Sequence, residues 1–162
     1  MLVQLQRRAQ TNSLGGHLPG PECLNDRGLL PQWFVIYRLR EELYEARRYG
    51  YPLSVAILSP MMVGGEHDAE ARIRAGTLAA REAARAQDLI GWLDGDDILV
   101  ILPHTDRAGA LAAIRRWSAK MSEATTGGDA LKWLASALQD DGAFETADHF
   151  LAAALQNFRG ID

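Results

Sequence analysis

Two kinds of apolar pattern alternate along this chain: positions three and four apart, and short unbroken runs. From Gln32 to Arg48, Ile36, Leu39, Leu43 and Ala46 share one helical face, with Arg38, Glu41, Glu42, Glu45 and Arg48 largely elsewhere. The spacing predicts a helix that "YGYP" ends, because Gly and Pro both disfavour its continuation. "LSVAIL", Leu53 to Leu58, is apolar on both faces, as a central strand requires. Pro60 and "VGGE" follow as a loop, and Glu66 to Ala86, rich in Ala, Arg and Glu, reads as a second helix. Leu89–Leu93 and Ile98–Leu102 are strands around Asp94–Gly95, a dipeptide suited to a tight hairpin turn. The run Ile98–Leu102 has no polar alternation, so both of its faces are expected to be buried.

Thr105 or Asp106 is placed to cap the next helix, which presents Ala110, Ile114, Trp117 and Met121 at helical spacing. "TTGGD" is a loop. "LKWLASAL" reads as a strand, although its periodicity fits a helix equally well. "QDDG" turns the chain into a last helix, Phe144 to Phe158. A hairpin set among alternating helices and strands predicts an α/β (α+β) fold, with helices packed on a mixed central sheet. Residues 1–27 lack such a pattern, and "SLGGHLPGPE" reads as loop. They form an irregular N-terminal segment or linker ahead of a domain at 28–162.

Composition narrows the function classes. A chain of 162 residues, 48% apolar and 23% charged, has enough apolar material for one real core. A net charge of −4 argues against general nucleic-acid binding but leaves room for small anionic ligands. Cys23 is the only cysteine, which excludes a disulfide framework and a cysteine-rich zinc site. His17, His67, His104 and His149 have no ligand spacing. "MLVQLQRRAQ" lacks a signal-peptide core, and no apolar run approaches the roughly 18–20 residues of a membrane span. The expectation is a cytoplasmic protein, or a soluble piece of a larger one.

The chemistry concentrates in "RAQDLIGWLDGDDILVILP", Arg85 to Pro103. The stretch "DLIGWLDGDDILVILPHTD" resembles the signature hairpin of the GGDEF family, the diguanylate cyclases. "GLLPQWFVIYRLREELYEARRYGYPLSVAIL" is similar to that family's opening helix and first strand. The resemblance covers about Gly28 to Met121, more weakly to the end. It implies a palm-like variant of the ferredoxin arrangement.

The sequence also departs from that family. The motif stands as Asp94-Gly95-Asp96-Asp97-Ile98. Asp94 replaces a Gly that lets the backbone pass close to substrate, Asp97 and Ile98 replace Glu and Phe, and Trp92 replaces an Arg. Ser59 stands where members carry an Asp after the first strand, and the D-x-D-x-F-K and N-D-x-x-G-H-x-x-G-D patterns are absent. Condensing two GTP molecules needs divalent ions held by carboxylates and phosphates. Asp96 alone supplies one such ligand. The resemblance therefore implies no cyclase activity and no cofactor, with Mg²⁺ not productively bound.

Arg85-Ala86-Gln87-Asp88 is retained. In the family an R-x-x-D at this distance from the hairpin is the inhibitory site for the product, cyclic di-GMP. An Arg fork donates to guanine O6 and N7, and a carboxylate accepts from guanine N1 and N2. The family often adds a second Arg at the position of Arg116, with Arg115 adjacent. Arg116 lies two residues past Ile114, about 200° around the helix, which predicts a solvent-facing side chain. Trp92 is a further candidate for stacking on a base, against the ordinary alternative of a core aromatic.

Two readings from different classes follow. One is a catalytically inactive receptor or regulator for cyclic di-GMP, acting through a protein partner or a homodimer. The other is a nucleotide-independent dimerisation or docking module, in which Arg85–Asp88 is an ordinary solvated pair worth little. A working cyclase ranks below both.

Overall fold

The computed structural model describes residues 24–25, 27–62, 68–125 and 131–160. The "VGGE" loop, His67, most of "TTGGD", His17, Cys23 and nearly all of the N-terminal segment fall outside the described residues. The elements run α1 (Gln32–Tyr49), β1 (Leu53–Met62), α2 (Ala69–Ala83), β2 (Leu89–Trp92), β3 (Ile98–Pro103), α3 (Arg107–Ala124), β4 (Leu131–Gln139) and α4 (Ala147–Arg159). The element order is the one the apolar pattern predicts, and the ambiguous "LKWLASAL" is a strand. No described helix is long and apolar enough to cross a membrane.

The four strands lie in the order β2-β3-β1-β4. All three pairings are antiparallel. The sheet is mixed only through an isolated parallel bridge, Leu30 to Gly91, on the outer edge of β2. Successive side chains of a strand point to opposite faces. Leu99 and Ile101 of β3 therefore join Val55 and Ile57 beneath α1 and α4, where Leu39, Leu43 and Phe150 pack. Ile98, Val100 and Leu102 point the other way and meet Ile73 of α2 and Trp117 and Met121 of α3. Helices on both faces make the strand run without polar alternation, and every residue of β3 is buried.

β1 is longer than its apolar run. Its pairing with β3 ends at Leu58–Ile98, while its pairing with β4 continues through Pro60–Trp133 to Met62–Leu131. Pro60 lacks an amide donor, and it sits where β1 no longer has β3 beside it. The last helix starts at Ala147 rather than Phe144, because the Thr146 hydroxyl accepts from the His149 amide at 3.2 Å and fixes the N-cap there. Asp106, not Thr105, caps α3: its carboxylate accepts from the Gly109 amide at 2.8 Å.

Gly91 lies where α1 crosses β2. A Cβ on it would stand 2.5 Å from Val35 Cβ, the root of a stiff, branched and fully buried side chain rather than a flexible chain end. Gly91→Ala should therefore destabilise the domain by about 1–3 kcal/mol through overpacking, read as a lower denaturant midpoint at unchanged slope. An unchanged midpoint would contradict this packing.

Candidate functional site

Two corners of the domain carry the chemistry, one at each end of β2. The first is where α2 stops and β2 begins. Arg85 is exposed, whereas Asp88 is buried, 8% accessible. The two close a turn on each other: Asp88 Oδ2 accepts from the Arg85 amide at 2.8 Å, and the Asp88 amide donates to the Arg85 carbonyl at 3.1 Å. The carboxylate thus holds the arginine's backbone and leaves its guanidinium outside. Asp88 Oδ1 is buried with no hydrogen-bond partner.

Arg116 reaches this corner from α3. Its Nε donates to the Ala83 carbonyl at 3.1 Å, at the last residue of α2. Its Nη2 is buried without a partner. The side chain is half-buried, which corrects the expectation that it faces solvent. Ala113 and Trp117 are the buried positions, and Ile114 is only partly so. Counted from Ala113, Arg116 lies only about 60° off the buried stripe. That stripe is drawn onto α2, where Trp117 Nε1 donates to the Ala80 carbonyl at 3.1 Å. The neighbouring Arg115 is exposed. An arginine on the final carbonyls of a helix is also a common C-terminal cap, so the Nε contact alone has a structural use. The unpartnered Nη2 and Asp88 Oδ1 do not.

The second corner is the hairpin tip. Asp94 and Gly95 are exposed, and Gly95 takes φ +54, which glycine adopts without strain. Asp94 Oδ1 accepts from the Gly95 amide at 2.9 Å, and the Asp94 carbonyl accepts from the Asp97 amide at 2.8 Å. Trp92 Nε1 donates to the Gly95 carbonyl at 2.7 Å and so fastens the turn. The Trp92 ring is half-buried against the α2–α3 side of the core. Four residues of extended strand separate it from Asp88, about 13 Å. Trp92 therefore belongs to the tip, apart from the Arg85–Asp88 corner. Ile98 is buried.

The Asp96 side chain is 38% exposed, but its carboxylate is engaged. Arg27 Nη1 donates to its carboxylate, while Nη2 donates to both Glu70 oxygens at 3.2 and 2.9 Å. Arg27 was invisible to sequence reasoning: it falls in the unpatterned segment, 69 positions from Asp96, with no local signal to join them. Asp97 is half-buried near Ser59. Partial burial holds its carboxyl above the ordinary value of 3.8. Asp94 and Asp96 add to the rise, while a hydrogen bond from Ser59 and the charge of Arg159 oppose it. Neither histidine within the described residues sits here: His104 stacks on Tyr51, ring centroids 3.9 Å apart, and His149 is exposed on α4. No group of three or more His, Cys, Asp or Glu suited to a metal ion occurs among the described residues.

The raised Asp97 value fixes a pH dependence. The native state binds that proton more tightly than the unfolded chain. The stability it contributes is full below about 3.8 and is lost as pH rises through the elevated native value. Asp97→Asn removes that loss. It should melt above the unsubstituted protein at pH 7, with the gap closing toward pH 4 in melts at fixed ionic strength. A gap that widens on acidification would refute the assignment.

No protein-family model and no curated protein matches the chain. Solved structures do. The chain is similar to the GGDEF domain of DgcB from Caulobacter crescentus, solved in complex with c-di-GMP, with a TM-score of 0.75 and 13% identity over 89% of this chain and 92% of that one. It is similar to the GGDEF domain of PA1120 (TpbB or YfiN) from Pseudomonas aeruginosa, with a TM-score of 0.73 and 19% identity over 84% and 86% of the two chains. A third likeness is to the diguanylate cyclase SiaD from Pseudomonas aeruginosa, solved with its activator SiaC, with a TM-score of 0.71 and 19% identity over 98% of this chain. The chain spans 64% of the SiaD chain's length. At such identities the likeness establishes the fold: a four-strand antiparallel sheet with four helices, built as in GGDEF domain structures.

Proposed function

We propose that this chain is a degenerate GGDEF domain that does not make cyclic di-GMP and instead receives it at the corner of Arg85, Asp88 and Arg116. The observation that carries the reading is the pair of buried, unpartnered polar atoms at that corner, Asp88 Oδ1 and Arg116 Nη2. Buried polar groups without partners are rare in folded proteins, and a ligand is one way to satisfy them. Once a side-chain shift uncovers them, guanine offers what both atoms lack: N1–H and N2–H₂ donors for the carboxylate, and O6 and N7 acceptors for a guanidinium. Arg85, exposed and tied to Asp88 through its backbone, would supply a second bidentate contact or stack on a base. The DgcB domain, of similar fold, is solved with c-di-GMP.

The other half of the reading is the loss of synthesis. Ser59 supplies no carboxylate at the end of the first strand's apolar run, and the Asp96 carboxylate is paired with Arg27. Magnesium needs one or two free carboxylates together with the phosphates. The residues at the tip do not fit such an ion, and no catalytic step is assigned to them.

A second reading has its own observation. Trp33, Tyr37 and Tyr44 on α1 are 39%, 47% and 65% exposed. They fall within about 40° of one another around the helix. Aromatic side chains are enriched in protein interfaces, so this stripe favours a docking or dimerisation module. SiaD, for its part, is solved with an activator protein.

Calorimetric titration with cyclic di-GMP separates the two. The unsubstituted protein should bind, Arg85→Ala should weaken binding by about 5- to 150-fold, and Asp88→Asn should also weaken it. Ser59→Ala, remote from this corner, should bind unchanged. No heat and no thermal shift at saturating ligand would leave the docking reading in place. Equal binding by Arg85→Ala would keep the ligand and move the site. In parallel, the protein with GTP and Mg²⁺ or Mn²⁺ should form no cyclic di-GMP above a protein-free control. Product that disappears in Asp96→Ala would overturn the loss of synthesis.

A further inference from the structure

The hairpin tip of a nucleotide-condensing domain has to gather divalent cations, yet here a cation of the chain's own already sits on its carboxylate. Arg27 is not a loosely held surface side chain. Only 15% of it is exposed. Its planar fork is split between two elements, one nitrogen on Asp96 at the β2–β3 turn and the other on both oxygens of Glu70 in the first turn of α2. A guanidinium suits this arrangement because its donors are fixed in a plane and it stays charged at all ordinary pH.

The backbone that carries Arg27 is equally determined. Asn25 Oδ1 accepts from the Arg27 amide at 3.0 Å and the Leu29 amide at 2.8 Å. The Asn25 amide donates to the Leu29 carbonyl, and the Gly28 amide to the Asn25 carbonyl, so the turn is closed in both directions. Leu29 is buried in the α2–α3 side of the core. Leu30 joins the outer edge of β2, taking a hydrogen bond from the Trp92 amide at 2.9 Å and giving one to the Ile90 carbonyl at 3.3 Å. Within three residues of Arg27, then, the chain is stitched to the strand that leads into the tip.

We propose that Arg27 is the domain's built-in counter-cation: it takes up Asp96 and keeps this corner closed to divalent metal, and it latches to the hairpin the turn that Asn25, Gly28 and Leu29 close. Ser59 in place of a carboxylate lowers the negative charge an incoming ion would meet. A +1 group fixed by three hydrogen bonds takes the place that a +2 ion would otherwise occupy beside Asp96. The inference concerns the metal-poor tip of the proposed receptor and not its ligand corner, so its failure would leave the cyclic di-GMP titration unaffected.

The test uses the metal alone, on the full chain. Melting temperatures are measured for the unsubstituted protein, Arg27→Ala, Arg27→Lys and Arg27→Ala/Asp96→Ala against millimolar MnCl₂ or MgCl₂, with NaCl at matched ionic strength as control. The unsubstituted protein should show no metal-specific shift. Arg27→Ala should melt lower and regain stability with Mn²⁺ in a saturable way. The double variant should lose that response, and Arg27→Lys, which keeps the charge, should remain unresponsive. Should Arg27→Ala fail to fold, Glu70→Gln loosens the arginine with Asp96 intact and should acquire a weaker Mn²⁺ response. Counting free Mn²⁺ by electron paramagnetic resonance gives an independent readout on the unsubstituted protein. Stoichiometric Mn²⁺ binding by that protein, or metal-insensitive Arg27→Ala and Glu70→Gln variants, would overturn the proposal.

Discussion

Everything in this domain hangs on β3 being buried from both sides. Five consecutive apolar residues, Ile98 to Leu102, cannot leave either face in water without losing about 25 cal/mol for each Å² of apolar surface exposed. The strand therefore demands two helical layers, and α1 and α4 cover one face while α2 and α3 cover the other. Its antiparallel pairing with β1 then sets where everything else falls. Leu58 opposite Ile98 brings Ser59 level with the tip, next to Asp97, while Leu53 opposite Pro103 ends the pairing at the far side of the sheet.

The two chemical corners inherit different characters from this frame. At the end of α2 the last carbonyls of the helix attract a cation, and Arg116 answers from α3. The corner is left with polar atoms in surplus. At the tip the surplus is of negative charge, with Asp94, Asp96 and Asp97 in four residues, and the chain meets it internally through Arg27 and Ser59. One corner holds unpartnered polar atoms and the other an internal ion pair. The proposed reading of a ligand corner beside a metal-poor tip rests on that contrast.

Much of this was legible in the residues themselves. Helical spacing marked α1 and α3, and the unbroken run of β3 announced a strand covered twice. The Asp94–Gly95 turn fixed the hairpin between two runs that only an antiparallel pair satisfies. The misses share one cause, which is contact between parts distant in sequence. β1 ran past its apolar stretch because β4 pairs with it through Met62, something a local pattern around Pro60 does not contain. Arg116 reads as solvent-facing when the helical face is counted from Ile114; the packing of α2 against α3 sets the buried stripe at Ala113 and Trp117 instead. Arg27 carried no periodicity at all, and its meaning comes from Glu70 and Asp96, which only the folded chain brings near.

The turn closed by Asp88 has a consequence for how readily anything could be held there. Ordering a backbone residue costs roughly 1–2 kcal/mol. Immobilising one long side chain costs only about 0.5–1.5 kcal/mol. Because Asp88 Oδ2 already fixes the Arg85 amide in the free domain, a molecule arriving at this corner has a single guanidinium to arrest and no loop to freeze. The entropy of the loop has been spent during folding, by a carboxylate that keeps its other oxygen in reserve.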